Sequence, residues 1–254
     1  MKLIHKFKSL NFDLRKNKKI SYIILHYTAL PSVKESVEYL CEKKNKVSCH
    51  YIIAQDGKIY NLVKDKYRAW HAGQSKWLSN NDLNDSSIGI ELDYSPNDKN
   101  NKFSKQLMIS LIELLSILKK KYKINNQNIL GHSDIAPYRK IDPGEKFPWK
   151  QLSNLNLSYN PNNKKFIQSK IINKWFIKNS INSKKIRTLI MLNIIGYDIS
   201  KSINSKYYYG VLLKNYRSHF FQKKSNKNSK IELFNFIELH FYNLILTKIL
   251  KFHS

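Results

Sequence analysis

Cysteine and long apolar runs are the scarcest features of this sequence. Cys41 and Cys49 are the only cysteines among 254 residues, so a disulfide framework is excluded as the means of stabilisation. No run reaches the roughly 18 apolar residues of a membrane span. Residues 1–19 are interrupted by charged and amide side chains and lack the apolar run of a signal peptide. We therefore expect a chain without a transmembrane segment, located in the cytoplasm.

Acidic residues are also scarce, since 18 Asp and Glu stand against 45 Lys and Arg, giving a formal charge of +27. Such a charge can indicate a nucleic-acid or anionic-surface partner. The lysines, however, are dispersed over the whole length and cluster only briefly, as in Lys16–Lys19, Lys119–Lys123 and Lys223–Lys230. The pattern predicts non-specific attraction to polyanions and no specific nucleic-acid binding.

What the sequence does contain is enough apolar residues, 42%, for real cores. Strand patterns alternate with helix patterns over residues 20–152, which predicts an α/β fold with a mixed β-sheet flanked by helices. The predicted strands are Ile20–His26, Val47–Ala54, Lys58–Val63, Ser87–Tyr94 and Asn128–Gly131. The predicted helices begin at the capping residues Ser32 and Ser104 and run to Lys44 and Tyr122. Residues 65–87 are predicted to form a loop.

The rest of the chain suggests three further parts. Residues 1–19 are an N-terminal extension, and residues 153–165, with five asparagines and no apolar periodicity, are a linker. Residues 166–254 are predicted to be a small all-α domain, with a glycine at the helix C-cap position 196. Its predicted helices are Phe166–Ile177, Lys184–Ile195, Tyr207–Phe221 and Ile231–Leu250.

One Pro- and Gly-shaped loop, Gly131–Gly144, holds His132, Lys140 and Asp142 together. His26 ends the first apolar strand far upstream. Two imidazoles and one carboxylate leave the fourth tetrahedral position of zinc open for water, as in catalytic zinc sites. Taken singly, His26 can also be a hydrogen-bonded strand-end residue and Asp142 a turn residue before proline.

A zinc ion held in this way supplies hydroxide at physiological pH and can polarise a carbonyl, which is the combination that hydrolyses amides. That reaction also needs a base and a stabiliser for the oxyanion. Glu91 is a carboxylate in the middle of an apolar strand, where unsatisfied burial is costly, so it is the candidate base. Lys140 lies two residues before Asp142, and its ammonium is the candidate stabiliser. Alternatively, Glu91 faces solvent on an edge strand and Lys140 is an ordinary surface lysine.

Five motifs follow one another along the chain: His26-Tyr27-Thr28-Ala29, Val47-Ser48-Cys49-His50-Tyr51, Arg68-Ala69-Trp70-His71-Ala72-Gly73, Ile88-Gly89-Ile90-Glu91 and Gly131-His132-Ser133-Asp134-Ile135-Ala136-Pro137 continued through Arg139-Lys140-Ile141-Asp142-Pro143-Gly144. In this order they resemble the zinc-dependent N-acetylmuramoyl-L-alanine amidases of the type-2 class, which are related to phage lysozyme-type amidases and peptidoglycan recognition proteins. The resemblance covers roughly Ile20–Leu152.

The resemblance implies that a single Zn²⁺ is bound by His26, His132 and Asp142, with Glu91 as catalytic acid/base and Lys140 as transition-state stabiliser. It implies hydrolysis of the amide between the lactyl group of N-acetylmuramic acid, or its anhydro form, and L-alanine. The partners are then peptidoglycan or muropeptides. Trp70, His71 and His50 also match motif positions, and they are the predicted substrate-binding residues.

More weakly, residues 186–199 and Asn215–Phe220 resemble the peptidoglycan-binding domain that follows some of these enzymes. Arg217 stands where that domain has glutamine, so this unit is predicted either to bind glycan or to act as a packed scaffold. Wall binding would favour the periplasm or cell envelope as the alternative location.

Two other functions compete with the enzyme. A non-catalytic recognition module would share the fold, but loss of catalysis usually removes a ligand, and here all three ligands, Glu91 and Lys140 are present. A nucleic-acid-binding protein would concentrate its basic residues on one element, whereas the lysines here are dispersed. The sequence predicts no particular oligomeric state.

Overall fold

A computed structural model describes residues 3–16, 19–97, 102–161, 169–222 and 229–252. Its strands are β1 (Leu3–Ile4), β2 (Phe12–Leu14), β3 (Tyr22–Tyr27), β4 (Tyr51–Ile53), β5 (Ile59–Asn61), β6 (Tyr67–Ala69), β7 (Ser87–Leu92) and β8 (Ile129–Gly131). Its α-helices are α1 (Val33–Cys41), α2 (Leu83–Ser86), α3 (Lys105–Tyr122), α4 (His132–Ile135), α5 (Trp149–Asn154), α6 (Ser169–Lys178), α7 (Lys184–Ile195), α8 (Lys206–Phe220) and α9 (Ser229–Phe252).

Six of the strands form one mixed sheet in the order β1-β5-β4-β7-β3-β8. β3 lies between two parallel neighbours, β7 and β8, while β4 pairs parallel to β7 and antiparallel to β5. β4 and β5 therefore form a hairpin, and the mixed sheet flanked by helices confirms the predicted fold class.

The central strand β3 is covered on both faces, as its run of β-branched and aliphatic residues indicates. Ile23 and Leu25 face α3 and pack with Leu107 and Leu111 in one core cluster. Ile24 faces the opposite side, in a second cluster to which α7, α8 and α9 contribute. The sheet therefore positions the strand ends between two layers of helix.

Helix boundaries follow the capping residues closely. Ser104 accepts a hydrogen bond from the Leu107 amide and starts α3, and Ser32 accepts one from Glu35 and starts α1. α1 ends at Cys41 and is followed by a short 3₁₀ turn, Lys43–Asn45, so the predicted helix to Lys44 is interrupted there.

Short strands lie in the N-terminal extension and within residues 65–87, which the sequence pattern predicts to be a loop. β1 pairs parallel to β5 at the sheet edge, and β2 pairs antiparallel to β6, which lies inside the predicted loop. α2 also lies within this loop. These elements are short and pair across long sequence separations, so local periodicity did not reveal them.

The predicted all-α C-terminal region is present and includes α6, α7, α8 and α9. α7 has the predicted bounds and ends at Gly196, its C-cap. Residues 162–165 of the predicted linker and 166–168 of the first predicted helix lie outside the described residues. The domain boundaries stay a prediction.

Candidate active site

The carboxyl ends of β3 and β7 bring two of the predicted site residues side by side. His26 and Glu91 are in direct register on these neighbouring parallel strands. Residues in register on adjacent strands point to the same face of a sheet, so the two side chains share one face. Functional sites on parallel sheets form at this edge.

The chain after β8 supplies the remaining residues. α4 starts at His132, directly after the strand, and the Ser133 amide donates to the carbonyl oxygen of Asp142 at 2.9 Å. This hydrogen bond folds the segment back, so that the side chains of His132 and Asp142 both reach His26. We call residues 131–147, which carry His132, Lys140 and Asp142, the ligand loop.

Three buried atoms form a nearly equilateral triangle. His26 Nδ1 lies 3.0 Å from His132 Nδ1 and 3.1 Å from Asp142 Oδ2, and His132 Nδ1 also lies 3.1 Å from Asp142 Oδ2. Two ligands of a tetrahedral zinc, each at about 2.0–2.1 Å, are separated by about 3.3 Å. The donor set and its spacing therefore fit a zinc ion held by these three residues.

Hydrogen bonds on the outer side of the two histidine rings turn a nitrogen lone pair of each ring into the triangle. His132 Nε2 lies 3.1 Å from the Ala72 carbonyl oxygen, which only accepts, so the proton of this ring is on Nε2. Its Nδ1 is then free to bind a metal. A partner that fixes the tautomer in this way is usual behind histidine ligands.

A longer chain of hydrogen bonds fixes His26. The Ser87 hydroxyl donates to the Leu83 carbonyl oxygen and therefore accepts from His71 Nε2 at 3.1 Å. His71 Nδ1 consequently accepts from His26 Nε2 at 3.0 Å. The lone pair of His26 Nδ1 is left facing the triangle.

Room for this arrangement comes from Gly89. A Cβ at Gly89 would clash with Cγ of His71, so glycine at this point of β7 leaves the space that the His71 ring occupies. The Gly89 amide also donates to Nδ1 of His50 at 3.0 Å.

Burial and neighbouring charges shift the pKa values of His26 and Asp142. Burial, reinforced by the neighbouring His132 ring, lowers the pKa of His26 to about 4 despite the opposing effect of Asp142. Burial alone would raise the pKa of Asp142, but the His132 and His26 rings outweigh it and hold that pKa well below its usual range. Neutral imidazole and ionised carboxylate are the forms that bind a metal.

Glu91 stands beside the triangle as a buried carboxylate. Its Oε2 has no hydrogen-bond partner among the described residues. Burial, followed by the charge of Asp142, raises the pKa of Glu91 well above its usual value, and the Lys140 ammonium partly opposes this. A raised carboxyl pKa suits a group that accepts and returns a proton near neutral pH.

An open pocket of about 360 Å³ lies over the triangle. Lys140, Trp70 and His71 line it together with the three ligands and Glu91. Both ring nitrogens of His71 are already hydrogen-bonded to protein atoms, so this residue supports His26.

His50 does not lie in the pocket wall. It is fully buried, and its Nε2 lies within hydrogen-bond distance of Arg15 and of the Tyr67 carbonyl oxygen. The structure therefore brings Trp70 and His71 to the pocket but leaves His50 beneath it.

Comparison with known proteins shows the family of this chain. Residues 16–145, about half of the chain, match the family model described as N-acetylmuramoyl-L-alanine amidase. The chain belongs to the N-acetylmuramoyl-L-alanine amidase family. It is 35% identical over 160 residues to the 1,6-anhydro-N-acetylmuramyl-L-alanine amidase AmpD of Haemophilus influenzae, a match covering 56% of this chain and 85% of AmpD. The predicted family and enzyme class are thus confirmed.

A second relative is the N-acetylmuramoyl-L-alanine amidase AmiD of Escherichia coli, which is 38% identical over 148 residues. That match covers 53% of this chain and 52% of AmiD. The solved complex of AmiD with anhydro-N-acetylmuramic acid-L-Ala-D-γ-Glu-L-Lys superposes with a TM-score of 0.66 and 27% identity, covering 87% of this chain and 86% of AmiD. AmpDH3 of Pseudomonas aeruginosa gives a TM-score of 0.69 at 26% identity, covering 87% and 91%.

Several supporting residues were not found from the sequence. Arg139 Nη2 donates to the carbonyl oxygens of Ala72 and Gln74, both at 2.8 Å, and so ties the ligand loop to the loop after β6. The sequence pattern indicates Ser87 only as the start of a strand. Their positions were the one indication in the sequence: Arg139 lies within a motif that carries site residues, and Ser87 directly precedes another.

Proposed function

We propose that this amidase hydrolyses the amide bond between the lactyl group of N-acetylmuramic acid, or anhydro-N-acetylmuramic acid, and L-alanine, in peptidoglycan turnover fragments. The observation that supports this is the buried triangle of His26, His132 and Asp142 with Glu91 beside it. AmpD and AmiD, whose names state this activity, share the fold and the family.

The proposal includes zinc as the cofactor, held by His26, His132 and Asp142. Bound there, zinc would lower the pKa of a water molecule toward neutrality and would act as a Lewis acid toward the scissile carbonyl. Glu91 accepts the proton of the attacking water through its unpaired Oε2 and returns it to the leaving amine.

Lys140 has the role of charge stabiliser in this proposal. It is half-buried in the pocket wall, and its positive charge opposes the rise that burial causes in the pKa of Glu91. An ammonium at this point stabilises the negative charge that develops on the carbonyl oxygen. Trp70 offers an aromatic face at the pocket wall for the substrate.

In this proposal, the compartment in which the enzyme works depends on which substrate it uses. No helix in the described part of the chain is long and apolar enough to cross a membrane. Soluble anhydro-muropeptides would suit the predicted cytoplasmic location, and intact wall would suit the envelope. A mass-spectrometric comparison of products from sacculi and from purified anhydro-muropeptides distinguishes the two substrates.

The test of the activity is release of free stem peptide from anhydro-muropeptides, followed by mass spectrometry. We expect Glu91→Gln to retain zinc and to lower kcat by about 10²–10⁴-fold, because the amide cannot take up the proton. Removal of zinc with a chelator should abolish activity, and added zinc should restore it.

Glu113→Gln is the matched control, because Glu113 is exposed on α3, on the far side of the sheet from the pocket. Its activity should equal that of the wild type. If the zinc-loaded wild type left the muramoyl-alanine amide intact across a panel of muropeptides, the enzyme would have another substrate or none, and a recognition role would replace the proposal.

A further inference from the structure

The C-terminal helices make buried hydrogen bonds to the ligand loop. We call α6, α7, α8, α9 and their connections the helical unit. The side chains of this unit that hydrogen-bond to the ligand loop include Tyr197, in the turn after α7, and Asn215 and His219 of α8. All three are at most 4% exposed.

The first point of contact is Asp134, the third residue of α4. Its carboxylate is completely buried, and burying a charge is costly unless it is hydrogen-bonded. Asp134 Oδ2 accepts from the Gly131 amide at 2.7 Å and from His219 Nδ1 at 2.7 Å. Asp134 Oδ1 accepts from the Tyr197 hydroxyl at 2.5 Å. Two of these three donors belong to the helical unit.

His219 is held in a fixed orientation toward Asp134. Its ring stacks on Trp149 at a centroid distance of 3.6 Å and lies 3.8 Å from the ring of Phe220. Its Nε2 is buried and has no hydrogen-bond partner in the part of the chain that the structure describes. The hydrogen bond to Asp134 is therefore the polar contact that orients this ring.

The second point of contact lies in the segment between His132 and Asp142. Asn215 Nδ2 donates to the carbonyl oxygens of Pro137 and Lys140, at 2.6 and 3.1 Å. Lys140 is two residues before Asp142. One buried amide thus connects α8 to the turn that leads from His132 to the second ligand of the loop.

We propose that Tyr197, Asn215 and His219 are positioning residues that order the ligand loop, so that zinc affinity at the amidase site depends on the helical unit. The zinc part of this inference rests on the proposed function. Metal sites require ligands held within about 0.5 Å, and removing supporting partners typically costs 10–100-fold in metal affinity. Here those partners come from the helices that the sequence resemblance assigned to wall binding or to packing.

The experiment compares two tyrosine-to-phenylalanine variants of the full chain. Tyr197→Phe removes one of the three bonds to Asp134. Tyr216→Phe removes a hydrogen bond between the tyrosine hydroxyl and His240 Nδ1, at 3.1 Å, which joins two residues of the helical unit and no residue of the ligand loop. Both tyrosines are almost fully buried, so the two changes should lower stability similarly.

We expect the zinc dissociation constant, measured by competition with a chelator, to rise about tenfold in Tyr197→Phe and to stay within about twofold of wild type in Tyr216→Phe. Asn215→Leu, which removes the donor to two carbonyls, should also raise it. An unchanged constant in Tyr197→Phe, or an equal rise in Tyr216→Phe, would overturn the inference.

Hydrogen exchange in the metal-free protein separates this inference from the proposed function. The Gly131 amide should exchange about tenfold faster in Tyr197→Phe than in wild type or Tyr216→Phe, because its acceptor Asp134 is less firmly held. Equal exchange in all three proteins would contradict the positioning role. A wild type that binds no zinc would instead contradict the proposed function and leave the exchange result to decide the role of the helical unit.

Discussion

At the scale of single residues, the site depends on which ring nitrogen of His26 carries the proton, and neighbouring residues decide this. His26 has the lone pair needed on Nδ1 only because His71 accepts from its Nε2, and His71 accepts only because Ser87 fixes the opposite tautomer. Burial and the neighbouring His26 ring also hold the pKa of His71 well below its usual value. Ser87, which is buried and does not line the pocket, therefore controls the tautomer of His26.

Ser87→Ala should weaken zinc binding for this reason. The variant removes the acceptor for His71 Nε2, so the His71 ring can take the other tautomer. Its Nδ1–H would then donate to His26 Nε2 and leave the proton of His26 on Nδ1, the atom that faces the triangle. We expect the zinc dissociation constant to rise about tenfold, as measured by chelator competition.

Ser9→Ala is the matched control, since Ser9 is also buried and donates to a backbone carbonyl, that of Leu40, at 2.6 Å. It should bind zinc as the wild type does. Equal affinities in Ser87→Ala and Ser9→Ala would show that the hydrogen-bond chain behind His26 is dispensable.

At the scale of elements, a buried carboxylate ties α3 to the sheet. Asp65 accepts hydrogen bonds from the hydroxyls of Tyr51 and Tyr122, both at 2.6 Å, and from Lys121 at 2.9 Å. Burial would raise the pKa of Asp65, but these bonds outweigh it and lower that pKa. The ionised form is thus favoured more in the folded chain than in the unfolded one.

This shift predicts a pH-dependent contribution to stability. Because the folded pKa lies below the unfolded value, the stabilisation is fully present above about pH 4 and is lost as the pH falls through the folded pKa. Asp65→Asn should therefore lower the free energy of unfolding at pH 7 by about 1–3 kcal/mol, and by less near pH 3.

Urea unfolding at both pH values measures this difference. Asp56→Asn provides the comparison, because the Asp56–Lys58 pair is exposed on the surface and should change the free energy of unfolding little at either pH. An Asp65→Asn penalty that is the same at pH 7 and pH 3 would contradict the assignment.

At the scale of the whole molecule, the sheet and the helical unit share one core. Ile24 of β3 and Leu130 of β8 pack in the same cluster as Leu192 of α7 and Tyr216 of α8. Gly196 marks a close approach within this contact, since a Cβ there would lie 2.5 Å from the Trp77 ring and the residue has a φ of +142°. The helical unit is thus part of the packing that supports the site.

Gly196→Ala should destabilise the folded chain by about 2–4 kcal/mol, because it combines overpacking with a backbone conformation unfavourable to alanine. Gly210, inside α8, is the control, because an added Cβ there would meet no atom within 4 Å. Gly210→Ala should stabilise by about 0.5–1 kcal/mol, as expected for alanine in a helix. Denaturant unfolding of both variants checks the opposite signs.

Local patterns predicted much of the fold. Aliphatic runs and serine caps gave the central strands, α3 and the full span of α7, because these elements are encoded by neighbouring residues. β1, β2 and β6 were missed, since strands of two or three residues gain their stability from partners far away in sequence.

The sequence by itself determined the family of this protein: two histidines, an aspartate, a glutamate in an apolar strand and a lysine stand in an order that identifies an amidase family. It also determined the central strands that carry His26 and Glu91. Only the tertiary structure decided how these side chains are held, because Ser87, Gly89 and Asp134 act through contacts across the sheet and between helical layers. The direction of a hydrogen bond and the room around a side chain depend on the positions of residues in space, and the spacing of residues along the sequence does not specify these positions.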